Sequence, residues 1–468
     1  MTKNTIIILI FIFLLTIALA ASIDESQVPS EDRANFGITK FITGLFTKLH
    51  TLIFGNETKN SGNTNKNNNN SPLENKDLLQ GDIMLTEEQA DELVDKVAVE
   101  EAKQGIDISK VMNNETDVRL KRKFKADAKK WDLPIDYEIQ KGDHNLIDRA
   151  LKLIENKTCI RFNKIYWTSF GKPSLKYFRG NGCWSYIGQT VRDKPQDISI
   201  GVFCDTIGKI QHETMHALGV KHEQCRADRD DYLEIFPENV QYGRQNNFEK
   251  LDIDNALAYN ISYDYGSDMH YQADAFSDNG NATMLPHDRL YNKTIGMDNG
   301  MTFLDAKLIN RHYCSEVCPK SDIKCYNGGY ENPNKCNTCT CVKGFGGKRC
   351  TDFRKFKKEC DKQILFVTKE EQLLPFDGRK NCLIHLKAPY GKKVAINIKY
   401  INMGSVYDPV CSKKDSLEVK YYKDKTRTGA LFCGLTQNIT FTSHNDHVIV
   451  DYKSRKELSI ANMTYKIF

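Results

Sequence analysis

The stretch QHETMHALGVKHEQC, residues 211–225, carries three histidines at a spacing that can bind a metal ion. His212 and His216 are four residues apart, so on a helix they share one face and can direct two imidazoles at one ion. Gly219 can adopt the left-handed conformation that ends a helix and redirects the chain. That turn would bring His222 back toward the same ion. The spacing therefore predicts three nitrogen ligands, supplied by one helix and the turn after it.

Glu213 follows the first of these histidines and suits general-base catalysis. A carboxylate beside a zinc-bound water can accept its proton, because the metal lowers the pKa of that water toward neutrality. Three neutral nitrogens with an open fourth position are typical of catalytic zinc, whereas a structural site fills all four positions with protein ligands. Two histidines on a helix often bind no metal, but the full pattern H-E-x-x-H-x-x-G-x-x-H fixes five positions. Cys225 lies three residues beyond the last histidine and raises the question of a fourth ligand.

Length and charge limit the class of protein. The chain has 468 residues, of which 40% are apolar, so we expect several domains of roughly 100 to 200 residues with packed cores. The formal net charge is +5, from 66 basic and 61 acidic residues. This balance lacks the concentrated basic stripe that binding to a phosphate backbone requires, which argues against a nucleic-acid partner.

Residues 1–20 are typical of a secretory signal peptide. Lys3 precedes an apolar run from Ile6, and the small residues at 18–20 form a cleavage site. The alternative is an uncleaved membrane anchor, but the run is shorter than the roughly 20 residues that span a bilayer. We therefore expect a secreted, extracellular protein without a stable membrane span, whose 15 cysteines form disulfides. Candidate N-glycosylation sites are Asn56, Asn69, Asn114, Asn156, Asn260, Asn281, Asn292, Asn438 and Asn462.

Residues 21–122 are predicted to be a propeptide. This region contains no cysteine and includes NTNKNNNNSP, a low-complexity stretch that cannot bury apolar surface. An amphipathic helix is predicted at 36–54, either on a membrane surface or, as we favour, packed against the rest of this region. Thr86 and Gln89 predict a helix capping box. The basic run that ends at Arg122 predicts cleavage by an activating protease of the furin type, because it lies where the cysteine-free region ends, although such runs are often only solvated faces.

The sequences HETMHALGVKHEQCRADRD and YGSDMHY together resemble the astacin family of metzincin zinc endopeptidases. The family motif continues past the third histidine as HE and RxDRD, and its Met-turn reads SxMHY. The resemblance implies an α+β catalytic domain with one zinc ion on the three histidines and Glu213 as the general base. Met269 would form the apolar floor beneath the metal. Tyr271 matches a tyrosine that ligates the resting zinc and then swings away to hydrogen-bond the oxyanion, although on the residues alone it could equally be core packing.

The resemblance also implies two roles connected with activation. Glu223 matches the family residue that receives the buried N-terminus of the mature chain, here at or near Lys123. The segment LLQGDI resembles the family's F-x-G-D inhibitory motif, in which Asp82 would ligate zinc in the zymogen where the water should be. Leu79 replaces the usual aromatic residue, while Gly81 and Asp82 keep the essential chemistry.

The resemblance divides the rest of the chain into three units. Residues 123–317 would form the peptidase domain, 318–350 an epidermal-growth-factor-like (EGF-like) module, and 360–468 a CUB domain, which is a two-sheet β-sandwich. Six cysteines within 33 residues indicate a module that depends on disulfides, although sequence alone permits 15 connectivities. Alternating apolar residues in VAINIKY and SLEVKYY predict strands in the last unit. Family patterns imply the pairs Cys159–Cys314, Cys183–Cys204, Cys318–Cys336, Cys325–Cys339, Cys341–Cys350, Cys360–Cys382 and Cys411–Cys433.

Two residues depart from these patterns. Asp415 falls where some CUB domains place a calcium ligand, although the full acidic set is not found, so Ca²⁺ is a minor expectation. The seven disulfides use 14 of the 15 cysteines and leave Cys225, where the family usually carries serine or threonine. A thiolate on zinc would close the fourth position, but the chain is expected to turn away after His222. We expect a free thiol, with an intermolecular disulfide or metal ligation as alternatives.

The expected function is that of a secreted zinc endopeptidase made as a zymogen, with an EGF-like and CUB tail that contacts extracellular proteins. The layout is similar to nematode astacins linked to hatching and moulting, which by analogy suggests a cuticle, egg-envelope or other matrix protein as substrate. One alternative is a binding protein with an inactive protease domain, against which the intact histidines, Glu213 and Tyr271 argue. The other is a matrix or adhesion protein whose zinc is structural.

Overall fold

A computed structural model of the chain describes residues 28–29, 32, 35–36, 38–40, 42–43, 71–75, 77–91, 93–94, 129–167, 171–250, 259–354, 360 and 362–468. The predicted signal peptide and the predicted processing site at Arg122 lie outside these residues, as do Asn56, Asn69 and Asn114. Within the described part, no helix combines the length and the apolar character needed to cross a bilayer.

The N-terminal half of the described chain is built on a six-stranded sheet with the order β1-β5-β6-β4-β2-β3. Strands β2, β3, β4 and β6 run parallel, and β5 is antiparallel to β6. The edge strand β1 pairs with β5 in parallel and comes from the predicted propeptide, so the sheet joins both regions of the chain. The strand bounds are Ile83–Met84 (β1), Ile135–Ile139 (β2), Phe162–Lys164 (β3), Ser174–Phe178 (β4), Cys183–Tyr186 (β5) and Pro195–Ile200 (β6).

Three of the described helices pack with this sheet: α1 (His144–Lys157), α2 (Ile207–Ala217) and α3 (Phe303–Tyr313). All three contribute to one apolar core with the sheet. The Thr206 hydroxyl caps α2 by accepting a hydrogen bond from the backbone N–H of Lys209 at 3.1 Å. Nine of the 11 residues of α2 are buried, so this helix runs through the interior of the domain. In the described part of the chain between α2 and α3, the structure has short helical turns and the antiparallel pair β7 (Leu233–Ile235) and β8 (Met284–Pro286).

Two smaller units follow. The segment 318–350 contains the pair β9 (Tyr330–Glu331) and β10 (Cys339–Thr340), and a second pair joins β11 (Phe345–Gly346) to β12 (Asp352–Phe353). The C-terminal unit has a five-stranded sheet, β13-β15-β20-β17-β18, and a four-stranded sheet, β14-β21-β16-β19, which enclose an apolar core. The strands are Ile364–Phe366 (β13), Gln372–Asp377 (β14), Asn381–Lys387 (β15), Val394–Met403 (β16), Ser416–Lys420 (β17), Ala430–Phe432 (β18), Gly434–Thr442 (β19), His447–Lys453 (β20) and Ile460–Ile467 (β21).

The two-sheet unit packs against the peptidase domain through polar as well as apolar contacts. The Asp264 carboxylate accepts a hydrogen bond from the backbone N–H of Thr428 at 2.8 Å, and the Thr294 hydroxyl accepts one from Leu431 N–H at 2.9 Å. The Arg427 guanidinium lies 5.3 Å from the centre of the Tyr232 ring. Both units also contribute buried side chains to one continuous apolar cluster. These contacts fix the position of the C-terminal unit relative to the peptidase domain.

The described residues of the predicted propeptide pack on the predicted peptidase domain. Phe36 and Ile42, from the predicted amphipathic segment, are buried, which agrees with packing rather than with a membrane-surface role for this part of it. The Thr86–Gln89 capping box is present: the Gln89 side chain accepts from Thr86 N–H at 3.1 Å, and the Thr86 hydroxyl accepts from Gln89 N–H at 3.2 Å. Gln89 also donates to the backbone carbonyl of Ile187 at 3.2 Å. The propeptide is therefore held by several separate contacts.

Candidate metal centre

Helix α2 and the turn after it bring the three motif histidines together. The Nε2 atoms of His216 and His222 lie 3.3 Å apart, and the His212 ring centre is 4.8 Å from that of His216. Gly219, at φ +94°, makes the turn that returns the chain toward the helix. This conformation is costly for residues with a Cβ atom, which explains the glycine. All three rings are buried.

The outer nitrogen of each ring donates a hydrogen bond. His212 Nδ1 donates to the carbonyl of Asp268 at 2.7 Å, and His216 Nδ1 donates to that of Val220 at 2.8 Å. His222 Nδ1 donates to the side-chain carbonyl of Gln80 at 2.8 Å. Since each Nδ1 donates to a carbonyl, the neutral form of each ring carries its lone pair on Nε2, and the three Nε2 atoms face one point.

A tight propeptide loop enters this point from the other side. Leu79 and Ile83 exchange backbone hydrogen bonds of 3.0 and 3.1 Å, which leaves Gln80, Gly81 and Asp82 as the tip of the loop. Gln80 has φ +50° and Gly81 has φ +83°. A Cβ atom on Gly81 would lie 2.3 Å from the backbone oxygen of Leu73, so only glycine fits there.

The Asp82 carboxylate lies among the three imidazoles. Its Oδ2 atom is 3.1 Å from His212 Nε2 and 3.2 Å from His222 Nε2, and its Oδ1 atom is 3.7 Å from His216 Nε2. Burial pushes the pKa of Asp82 upward, but the charge of His222 and hydrogen bonds from the three histidines hold that pKa well below its ordinary value. Asp82 is therefore a carboxylate rather than a neutral acid in this position.

This donor set fits a zinc ion. The four ligand atoms, three imidazole nitrogens and one carboxylate oxygen, lie within 4.8 Å of one another. Asp82 Oδ1 is buried and has no hydrogen-bond partner within the described residues, and the Nε2 atoms of His216 and His222 face each other at 3.3 Å. A buried group left in this state is costly unless a cation is bound. Nitrogen and carboxylate oxygen are also the ligands that zinc prefers.

Glu213 and Met269 lie beside this centre. Glu213 is fully buried, and neither of its carboxylate oxygens has a hydrogen-bond partner among the described residues. Burial, followed by the charge of Asp82, raises its pKa well above the ordinary value. Met269 is also fully buried, and its carbonyl accepts from Glu223 N–H at 2.9 Å. Since Asp268 bonds to His212, the turn that carries Met269 is attached to the metal ligands directly.

Tyr271 contacts the propeptide loop. Its hydroxyl donates to the backbone carbonyl of Gln80, and its ring centre lies 4.7 Å from that of His222. The loop is also held by Asn247, whose side-chain oxygen accepts from Gln80 N–H at 3.0 Å. Neither Gln80 nor Asn247 was predicted to be part of the site. Gln80 occupies the variable position of the F-x-G-D pattern, so the motif does not indicate a role for this residue.

Glu223 lies in the interior below the metal-binding turn. Its Oε1 atom accepts from Asp264 N–H at 2.8 Å and from the Arg226 guanidinium at 3.3 Å. Burial raises the pKa of Glu223 to about 8, although Arg226 opposes this shift. The predicted new N-terminus near Lys123 lies outside the described residues, so its pairing with Glu223 stays a prediction.

Cys225 is a buried free thiol. It donates to the carbonyl of Asn247 at 3.6 Å and does not belong to the group of metal-binding atoms. Burial raises the pKa of the Cys225 thiol to about 12. These features favour the free-thiol alternative over metal ligation.

A second buried contact joins the propeptide to the sheet. Asp32 accepts a hydrogen bond from the Tyr186 hydroxyl at 2.9 Å. Its carboxylate also faces Asp197, which lies 2.8 Å from the Lys176 ammonium. Burial, and then the hydrogen bond and charge of Asp32, raise the pKa of Asp197 to about 8. Asp197 therefore keeps its proton at neutral pH, beside the Asp32 carboxyl group.

The remaining predicted residues are placed as follows. All seven expected cysteine pairs are joined as disulfides. Asp415 accepts from the Ser454 hydroxyl at 2.8 Å and lies 3.8 Å from the Lys456 ammonium, in no cluster of metal-binding side chains within the described residues. Calcium binding at Asp415 thus stays a prediction.

Six of the glycosylation candidates lie among the described residues. Four are exposed, namely Asn156, Asn260, Asn281 and Asn438, and two are half-buried, namely Asn292 and Asn462.

Comparison with known proteins identifies the peptidase domain. Residues 123–314 match the family model described as astacin, a family of peptidases. The chain is 35% identical over 381 residues to zinc metalloproteinase nas-34 of Caenorhabditis elegans, covering 80% of this chain and 61% of that protein. It is 32% identical over 394 residues to protein SpAN of Strongylocentrotus purpuratus, covering 80% of this chain and 60% of that protein.

Among solved structures, the chain is similar to high choriolytic enzyme 1, a hatching enzyme zinc-protease of the medaka fish Oryzias latipes. The identity is 34% and the TM-score 0.36, over 41% of this chain and 97% of that one. The chain spans about three fifths of the length of the two curated relatives above. The family model and these relatives show that residues 123–314 belong to the astacin family of zinc metalloendopeptidases.

Proposed function

We propose that this chain is a secreted zinc endopeptidase that is made as a zymogen and cleaves extracellular proteins of the cuticle or matrix type. The observation that carries the proposal is the convergence of His212, His216, His222 and Asp82, all buried, with their ligand atoms within 4.8 Å. Three of these ligands belong to the peptidase domain and the fourth to the propeptide. A site of this kind opens one coordination position when the propeptide leaves, which is the arrangement of catalytic zinc.

In the mature enzyme, the three histidines would hold the zinc ion, which when bound lowers the pKa of a coordinated water toward neutrality. Glu213 would accept the proton of the attacking water and pass it to the leaving amine. Its burial suits this role, because a raised pKa brings a carboxylate closer to the operating pH of a general base. Met269 would support the ligands from below, since its turn is bonded to His212 through Asp268.

Tyr271 would stabilise the oxyanion of the scissile carbonyl. Its hydroxyl lies next to His222 and donates to the Gln80 carbonyl in the zymogen. When the propeptide leaves, this donor loses a carbonyl acceptor inside a water-poor cleft. The substrate carbonyl can take the same place, and a donor held ready for it lowers the barrier.

The propeptide would inhibit the enzyme through the loop tip at 80–82. Asp82 fills the fourth ligand position. The Gln80 side chain accepts a hydrogen bond from the outer nitrogen of His222, and the Gln80 backbone carbonyl accepts one from the Tyr271 hydroxyl. An activating protease would cut after Arg122. The new ammonium group would pair with Glu223, a buried carboxyl group close to the third ligand.

The C-terminal units would direct the enzyme to its targets. We assign 318–350 to an EGF-like module on its three disulfides and two short strand pairs, and 360–468 to a CUB domain on its two sheets and two disulfides. Secretion is supported by the N-terminal sequence and by the seven disulfides. Such modules would bind extracellular proteins rather than nucleic acid.

The test is a paired measurement of zinc content and peptide hydrolysis before and after cleavage at Arg122. We expect one zinc per chain in both forms and hydrolysis only after cleavage. Zinc without hydrolysis in the cut form would favour a structural metal, and neither zinc nor hydrolysis would favour an inactive binding protein. A mature chain that hydrolyses peptides without zinc would refute the proposal.

A further inference from the structure

A basic cavity of about 340 Å³ lies where the C-terminal sandwich meets the peptidase domain. No carboxylate lines it, whereas five of its eight lining residues are cationic. The lining residues are Asn299, Lys380, Asn381, Lys413, Lys414, Lys453, Ser454 and Arg455. We name this feature the junction cavity.

Two of the five cations are matched by nearby carboxylates. Lys380 pairs with Asp377 at 2.5 Å, and Lys453 lies 3.5 Å from Asp451. The other three, Lys413, Lys414 and Arg455, have no ion pair in the described part of the chain. Lys414 and Arg455 are exposed and Lys413 is half-buried, so all three remain accessible to a ligand. The junction cavity therefore has an excess of positive charge that favours an anionic occupant.

The junction cavity lies next to the active-site cleft. That cleft, a cavity of about 520 Å³, is lined by His212, Tyr271, Met297 and Asp298 together with the propeptide residues 71–74. Asn299, which lines the junction cavity, is the next residue along the chain after Asp298. Adjacent Cα atoms are about 3.8 Å apart, so one residue of each cavity wall lies next to the other along the chain. A polypeptide that leaves the cleft past Asp298 would pass close to Asn299.

The wall between the cavities is held in place from both sides. The Gly300 N–H donates to the Asp268 carboxylate at 3.0 Å, and the Met301 N–H donates to the Gln211 side chain at 2.9 Å. On the sandwich side, the Cys411 N–H donates to the Lys293 carbonyl at 2.9 Å. The cationic loop at 411–415 is thus attached to the same region of the peptidase domain that forms the cleft wall.

We propose that the junction cavity is an exosite that binds an acidic stretch of the protein substrate while the scissile bond lies in the cleft. This inference rests on the proposed peptidase function. Arginine can bind a carboxylate through two parallel hydrogen bonds, and the two lysines supply compact charges. An acidic peptide is favoured over a sulfated polysaccharide because the cavity is small and its residue Asn299 directly follows Asp298 of the cleft that receives the substrate chain. The C-terminal sandwich thereby takes part in substrate selection.

The test uses the activated full chain and three peptides that share one cleavable core. One peptide has a neutral extension at both ends, and the other two carry three aspartates on the N-terminal or the C-terminal side. We expect a KM roughly tenfold lower for one acidic peptide than for the neutral one, since three partly exposed ion pairs each contribute a few-fold in affinity. The advantage should shrink as salt is raised.

The variant Lys413→Ala/Lys414→Ala/Arg455→Ala should abolish this advantage and leave cleavage of the neutral peptide unchanged. A matched control, Arg349→Ala/Lys369→Ala/Lys392→Ala, removes the same charges from exposed positions outside the cavity and should retain the advantage. Equal KM values for all three peptides in the parent, or equal losses in the two triple variants, would overturn the exosite. The exosite would also be overturned if the parent showed no preference among the peptides but bound a sulfated oligosaccharide, and only the cavity variant lost that binding. Cleavage of the neutral peptide reports the proposed function separately.

Discussion

Gln80→Ala should weaken zinc binding in the uncut chain although Gln80 is not itself a ligand. Two of the three histidines donate their outer N–H to backbone carbonyls of the peptidase domain, whereas His222 donates to the Gln80 side chain at 2.8 Å. Removing that acceptor leaves a buried N–H without a partner and frees the ring of His222 to rotate. The propeptide thus supports the metal through a protein group outside the ligand set.

The size of the expected loss of zinc affinity follows from the general effect of a hydrogen-bond partner on a metal-binding histidine. Loss of one hydrogen bond to a metal-bound histidine costs about 10- to 100-fold in metal affinity, which is roughly 1.4 to 2.8 kcal/mol. The substitution leaves the backbone contacts of the loop in place, because Asn247 and Tyr271 bind the N–H and the carbonyl of Gln80 rather than its side chain. The Asp82 ligand is also retained. The expected loss of zinc affinity therefore results only from removal of the Gln80 side-chain carbonyl.

The assay is zinc retention by the uncut protein against a graded series of chelator concentrations. Gln89→Ala serves as the control, since it removes another propeptide glutamine that bonds to the peptidase domain, at Ile187, away from the metal. Gln80→Glu should retain zinc at least as well as the parent, because a carboxylate is a stronger acceptor for a ligand histidine. If Gln80→Ala and Gln89→Ala release zinc at the same chelator concentration as the parent, the positioning role of Gln80 is wrong.

Four further outcomes are expected. Glu213→Gln should keep its zinc and lose about 10²- to 10⁴-fold in peptide turnover, since positioned proton transfer contributes that much; unchanged turnover in a zinc-loaded variant would exclude the general base. Asp82→Ala should give the uncut chain partial activity, and a silent variant with zinc bound would show that this carboxylate does not block the site. Cys225→Ser should leave zinc content and activity near those of the parent, whereas loss of zinc would show that the thiol supports the site. The cleaved propeptide should dissociate more readily as pH rises: Asp197 has a pKa of about 8 beside Asp32, above its ordinary value, so the proton on Asp197 stabilises the complex in acid and is lost as pH passes about 8. Dissociation measured from pH 5 to 9 should flatten in Asp197→Asn, and an unchanged pH profile in that variant would remove the carboxyl pair as the cause.

The parts of the site that could be predicted from sequence are those with local geometry. His212 and His216 come together because a helix repeats its faces every three to four residues, and Gly219 fixes the return of His222 through a single turn. The capping box of Thr86 and Gln89 is local in the same sense. Each of these features needs only a few consecutive residues, so the spacing of residue types is enough to reveal it.

The features that could not be predicted from sequence depend on distant contacts. Gln80 lies 142 residues before His222, and nothing in its neighbours indicates which way its side chain points. The carboxyl pair of Asp32 and Asp197 joins segments 165 residues apart. In the sequence, neither residue can be distinguished from an aspartate on the protein surface. The junction cavity is likewise formed by loops that meet only after the sandwich has docked on the peptidase domain. Such pairings are set by tertiary packing, which residue spacing does not encode.

The loop tip explains why removal of the propeptide differs from any single substitution within it. Asp82 fills the ligand position, the Gln80 side chain holds His222, and the Gln80 carbonyl holds Tyr271, all within three residues. Asp82→Ala opens the metal but leaves the Tyr271 hydroxyl bonded and the cleft occupied by the loop, so its activity should stay well below that of the cut enzyme. Cleavage and departure of the loop instead free the ligand position, the tyrosine and the cleft together. Because one short loop makes all three contacts, we expect partial release to give only part of the activity and full activity to require that the whole segment leaves.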